Sequence, residues 1–165
     1  MSPLKPYQGR IIVLLTQQEL LVAEIYRFFA GLFPDMRDFW DTLSREEMDH
    51  ATWMEYLYKK VREGTVHFDE AKMRTYTVET FVKYLSDSLA KIKDKAPTLQ
   101  GAFSLALDIE NSMLIRRVFD HFRSTDRELS NLLLDLRSRM KEHRGRIEVE
   151  AASLQSAQKE RTPRR

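Results

Sequence analysis

Glycine and proline are scarce in this chain, five of each in 165 residues. Between them run long stretches in which apolar residues recur at three- and four-residue steps. That spacing puts apolar side chains on one face of an α-helix, and so few breakers leave the helices long. An all-α fold is expected, and a many-turned β fold is disfavoured. Hydrophobic residues make up 42% and charged residues 32%, enough apolar surface for one packed core.

The breakers divide the chain. Residues 1–9 (MSPLKPYQG) read as an irregular arm. Residues 10–30 are helical, with Leu14, Leu20 or Leu21, Glu24 and Phe28 on one stripe, and Gly31 and Pro34 end the helix. A second helix is expected over 35–62, with Phe39, Leu43, Glu47, His50, Met54, Leu57 and Val61 inward and Gly64 at its stop. Ser44-Arg-Glu-Glu47 has capping-box spacing, but Phe39, Trp40 and Leu43 carry the stripe on upstream of it. Residues 65–97 are less regular and hold a shorter amphipathic helix at 79–92, closed by Pro97. A third long helix runs over 98–122, where Phe103, Ala106 or Leu107, Glu110, Met113 or Leu114 and Arg117 or Val118 share a face. Thr125-Asp-Arg-Glu128 reads as a capping box opening a fourth, with Leu129, Leu132, Leu133, Leu136, Met140, His143 and Ile147 inward. Past Glu148 the pattern thins, and 151–165 reads as a frayed basic tail. Residues 10–150 thus form two helical hairpins joined by a crossover that carries a short extra helix. A four-helix bundle suits this plan, with the first and third helices side by side.

Composition removes several function classes. Without cysteine there is no disulfide, thiol nucleophile, cysteine-bound iron–sulfur cluster or Cys-type zinc site. The formal charge is only +2, with bases scattered among acids, so neither a nucleic acid nor a membrane surface is an expected partner. No apolar run approaches a spanning segment, and the cytoplasm is the expected location. No Gly-x-Ser-x-Gly nucleophile motif occurs.

The stripes fail at informative places. Glu24, Glu47, His50, Glu110 and His143 all interrupt apolar faces near the middle of their helices. Burying a lone carboxylate costs several kcal/mol, and carboxylates sharing one low-dielectric space repel. A bound cation removes both penalties. With two imidazoles the set suits iron, manganese or zinc. Each residue also has an ordinary reading: a helical Glu at the edge of an apolar face, a satisfied core histidine. His67 and His121 fall outside the pattern and read as surface residues. Tyr26, Trp40, Trp53, Tyr56 and Tyr58 read as core packing or partner contact, and the methionines as core filler. The helix around Phe81, Tyr84 and Leu85 covers the bundle or forms a dimer surface; a homodimer is expected.

The two halves are alike, EEMDH (46–50) matching RMKEH (139–143) with histidine on histidine. Over residues 12 to 150 the chain resembles the rubrerythrin-like branch of the ferritin-like superfamily. The resemblance rests on AEIYRFF (23–29), REEMDHATWMEYL (45–57), LALDIENSM (105–113) and MKEHRGRIE (140–148). It implies a ferritin-like four-helix bundle holding two iron ions between carboxylates and histidines, and an oxidoreductase that reduces peroxide or handles oxygen and iron. The implied ligands are Glu24, Glu47, His50, Glu110 and His143. Two features depart from the family. The fourth helix lacks a carboxylate one turn before His143, where Arg139 and Met140 stand. The four-cysteine iron module of rubrerythrins is also missing, so redox turnover needs an external electron donor. The competing expectation is a non-catalytic helical assembly or binding module, in which the Arg139 guanidinium replaces the metal's charge and pairs with Glu47 or Glu110.

Overall fold

The computed structural model describes residues 4–71, 73–116 and 118–161, and the side chains of 114–116, 140, 155 and 157–161 lie outside the description. Expected roles for Leu114, Arg117 and Met140 therefore fall outside the described residues. The architecture is all-α: α1 Pro6–Leu32, α2 Arg37–Arg62, α3 Thr75–Asp94, α4 Leu99–Arg116 and α5 Arg127–Arg161. None of these helices is long and apolar enough to cross a membrane.

Local chemistry sets the boundaries. Pro6 opens α1 at a position where its missing N–H is not needed, so the irregular arm is shorter than expected. Phe33 and Pro34 end that helix, and a 3-10 turn at Pro34–Met36 leads into α2. Gly64, at φ +78°, takes the left-handed conformation just past α2. Thr98 Oγ1 accepts the Gly101 amide (3.1 Å) and starts α4 behind Pro97. Asp126, not Thr125, caps α5, its Oδ1 accepting the Leu129 amide at 2.9 Å. Helix α5 continues to Arg161, with Ala151 and Leu154 partly buried against the core, well beyond the point where its apolar stripe thins.

Contacts fix the helix directions. Ser44, in mid-helix, donates to the Ala23 carbonyl at 2.8 Å, and Tyr26 and Phe29 meet Trp40, so α1 and α2 run antiparallel. Arg10 pairs with Glu79 and Glu24 with Lys93, so α3 lies parallel to α1 along its outer side. It is a full 20-residue helix that carries the chain back along α1, longer than the 79–92 segment expected. Arg144 to Asn111 links α5 to α4, and His143 to Glu47 links α5 to α2.

Between α4 and α5 the expected helix to Phe122 breaks at Arg116. A 3-10 turn at Val118–His121 follows, then a two-residue strand, β2 (Phe122–Arg123), paired antiparallel with β1 (His67–Phe68). Val118, Phe119 and Phe122 are buried there, at a spacing that imitates a continuing helix, and no Gly or Pro marks the break. Trp40 closes the other end of the core, fully buried against Phe29 (5.0 Å between ring centroids) and Phe103 (4.8 Å). The polar centre lies between these two apolar layers.

Replacing the α5 cap tests its assignment. Asp126→Ala should cost about 1 kcal/mol in urea unfolding, the usual worth of an N-cap, whereas Thr125→Ala should cost a few tenths at most. Equal losses would return the cap to Thr125.

Candidate metal centre

Four helices each place acid or imidazole groups in one buried volume. Helix α1 contributes Glu19 and Tyr26, α2 contributes Glu47 and His50, α4 Glu110 and α5 His143, all at most 2% exposed. Helical geometry brings them together. Glu19 and Tyr26 are two turns apart on one face, and Glu47 and His50 are three residues apart on another.

Glu47 is the hub. Its Oε2 accepts from His50 Nδ1 (3.1 Å) and its Oε1 from His143 Nδ1 (2.7 Å). The two imidazoles stack, with centroids 5.0 Å apart. Glu19 Oε2 is 3.8 Å from His50 Nδ1. No donor among the described residues reaches this oxygen, although the residue is fully buried. The Tyr26 hydroxyl donates to Glu110 Oε1 at 2.6 Å. On the outward side, His143 Nε2 donates to Glu46 Oε2 (2.8 Å), and Arg146 forks onto the same carboxylate.

Electrostatics sort these groups by protonation. Burial raises Glu19 well above the ordinary carboxylate range, and the adjacent Glu47 charge adds to it. Burial, then the Glu47 charge, pushes Glu110 up to about 8. Burial would lift Glu47 too, but hydrogen bonds from His143 and His50 outweigh it and hold that carboxyl well below its usual range. Burial would lower His143, yet its bonds to Glu46 and Glu47 raise it to about 10. Glu46, half-buried, falls to about 2, since His143 and Arg146 outweigh its desolvation. Without metal the centre is therefore balanced by protons. Glu47 is the buried anion, His143 the imidazolium facing it, and Glu19 and Glu110 carry their protons.

The residues fit a cation. Glu47, His50 and His143 each offer a ligand atom, and these lie within 4.8 Å of one another. Glu19 adds the carboxylate oxygen that has no donor. Each proton in the cluster stands where positive charge is needed, and a divalent ion supplies that charge directly. Two nitrogen and several oxygen donors suit a first-row transition metal better than magnesium or calcium.

The five expected site residues separate four to one. Glu47, His50, Glu110 and His143 meet in the cluster. Glu24 does not: its side chain is 50% exposed and pairs with Lys93 of α3 at 2.6 Å. The error is one of helix face. Arg10, Val13, Gln17, Leu20, Glu24 and Arg27 form the outer stripe of α1, and apolar Val13 and Leu20, nearly half exposed, disguise it as an inner one. Glu19 takes the inward place. Arg139 likewise stays out. It is exposed and pairs with Asp135 at 2.9 Å, so it neutralises neither Glu47 nor Glu110. Sequence reasoning also missed the work of Glu46 and Tyr26. For Glu46 a signal existed, since an acid beside a buried Glu-x-x-His is placed to support an imidazole from a facing helix. For Tyr26 the signal was its two-turn spacing from Glu19.

Compared with family models, curated proteins and solved structures, the chain gives no match in any of the three.

The proton balance sets a pH profile. Groups raised in the fold, Glu110 and His143, lend stability that is full below their unfolded values and is lost as pH rises toward about 8 and about 10. Glu47 and Glu46, depressed in the fold, lend stability that is lost as pH falls below the carboxylate range. Metal-free protein should thus be most stable at about pH 4–5 in urea titrations, near the unfolded carboxylate value, and Glu110→Gln should flatten the decline between about pH 5 and 8. A stability maximum above pH 8 would contradict the assignment.

Proposed function

We propose that this chain is a ferritin-like metal protein, whose buried Glu/His cluster holds iron and serves peroxide or oxygen reduction, or iron oxidation, with electrons from an external donor. One observation carries the reading: three carboxylates and two imidazoles from four helices share a water-poor interior in which a fully buried carboxylate oxygen has no donor. Such a cluster is costly as structure alone, because well-packed apolar residues would be cheaper than buried charge. The course of the chain supports the same reading: α1 and α2 form one hairpin, α4 and α5 a second, and α3 carries the crossover, the plan of a ferritin-like bundle.

The roles follow from the geometry. Glu47, His50 and His143 would hold the ion, with Glu19 completing its oxygen donors. Glu110, adjacent to this set, is placed to serve a second ion or to hold a proton close to the reacting centre. Tyr26 orients Glu110 through its hydroxyl. Glu46 fixes the His143 ring so that Nδ1 faces inward, as outer carboxylates do for metal-bound histidines. Iron bound here would supply one-electron redox chemistry toward peroxide or dioxygen. Trp40 and Phe103 on one side and Phe119 and Phe122 on the other keep bulk water from the carboxylates.

Anaerobic reconstitution with Fe(II), followed by elemental analysis, tests the reading. Wild type and Glu24→Ala should retain iron equally, and Glu47→Ala/Glu110→Ala should lose it. Affinity should rise about tenfold or more from pH 6 to pH 8, because binding displaces protons from the raised groups. Loaded protein should then consume peroxide when an external reductant is supplied. Wild type without metal after reconstitution, or a double variant that still binds like wild type, would reject the proposal.

A further inference from the structure

The cluster is closed on most sides, but a cleft of about 250 Å³ opens from solvent between α2 and α5. The His50 and His143 rings line it. A single water needs about 10–15 Å³ of such space, so the cleft has room for a cation with its first hydration shell. Its other walls are charged. Arg139 is paired with Asp135 and Arg146 with Glu46, so both guanidinium charges are matched by acids of the same cleft. Two further acids line it, Asp49 and Glu142, and no ion pair joins either to a described residue. Both are exposed, and each immediately precedes one of the buried histidines. They occupy equivalent places in the two like segments, EEMDH and RMKEH.

A second observation points the same way independently of surface charge. Behind His50, Glu19 Oε2 is buried without a donor, 3.8 Å from His50 Nδ1. A buried carboxylate oxygen with no donor among the described residues thus lies directly behind His50, one of the residues lining a cleft whose outer rim carries unmatched negative charge.

We infer that the α2–α5 cleft is the route by which a hydrated divalent cation reaches the cluster, with Asp49 and Glu142 as staging carboxylates and the two histidines as the point where the ion sheds water. This rests on the metal-centre reading and adds its path. The staging acids act on the rate of arrival: in a narrow mouth with low-dielectric walls they raise the local cation concentration, and salt screens their effect. They do not ligate the bound ion, so the content reached at saturating metal does not depend on them. Arg139, at the same mouth, opposes them.

Stopped-flow loading of metal-free protein with Co(II), followed by its visible absorption, tests the route. At low ionic strength Asp49→Asn/Glu142→Gln should load about five- to tenfold more slowly than wild type, and Arg139→Gln should load faster. At about 0.5 M salt the three proteins should converge. All three should reach the same Co(II) content per chain at saturating metal. Wild-type loading with rates indifferent to these substitutions and to salt would overturn the route and leave the metal centre standing. Failure of wild type to take up Co(II) at any time would overturn both.

Discussion

The Glu47 carboxylate, held between the Nδ1 atoms of His50 and His143, is the interaction on which the rest of the centre depends. Among the described residues it is the one fully buried acid of the cluster that keeps its charge without metal, and it keeps it because two imidazoles from two helices donate to it. Removing one partner of such a buried set strands the others, at about 3–5 kcal/mol. The same bonds fix where the rings face. Both Nδ1 atoms turn inward because Glu47 is there, and the stacking of the rings follows from one carboxylate being shared by both. Burial first, and then that fixed charge, raise Glu19 and Glu110 so that they hold protons. Local pairing and ring orientation therefore have one origin, and burial joins it in setting the protonation of the cluster.

A buried centre of this kind needs packing that tolerates it. The aromatic layer at Trp40 joins α1, α2 and α4 on one side, and the Val118–Phe122 turn presses Phe119 against His50 on the other, with centroids 6.0 Å apart. These layers supply the dispersion and apolar burial that offset the cost of the polar slice. They also lower its effective dielectric, which strengthens each pairing inside it and penalises any group left without one. The apolar architecture and the unusual protonation of Glu110 are two views of the same exclusion of water.

Much of this was legible in the sequence, because helix existence and the inward stripe of α2 rest on strong periodicity. Leu43, Glu47, His50, Met54 and Leu57 alternate by three and four, and all are buried. Glu110 and His143 were legible for the same reason. Helix α1 was not, because it is apolar nearly all round. With α2 on one side and α3 along another, it buries a wide arc, and Leu20 on its narrow exposed strip gave Glu24 a false inner face. Only the antiparallel register with α2, which sets Ser44 at Ala23, decides that Glu19 faces His50. The break after Arg116 was hidden by apolar residues whose spacing suits helix and turn alike. The competing expectation of an inward Arg139 fails for a different reason: its neighbour Asp135, one turn back, offers a pairing without desolvation.

The likeness of the two halves explains how an incomplete second motif still makes a coherent centre. Aligned on their histidines, EEMDH has acids where RMKEH has Arg139 and Met140. The second half brings an imidazole but no carboxylate of its own to hold it. The structure supplies both missing partners from the first half. Glu47 accepts from the Nδ1 atoms of His50 and His143, and Glu46 accepts from His143 Nε2 with Arg146 behind it. Two adjacent acids on one helix can do this because successive residues are about 100° apart: Glu47 faces the core while Glu46 faces α5. The asymmetry has a consequence for the site. Among the described residues His143 is hydrogen-bonded at both nitrogens and His50 at Nδ1 alone, so the α5 side of the centre is the more firmly held one. The α1 side, where Glu19 Oε2 has no donor, is where the centre retains capacity for a ligand.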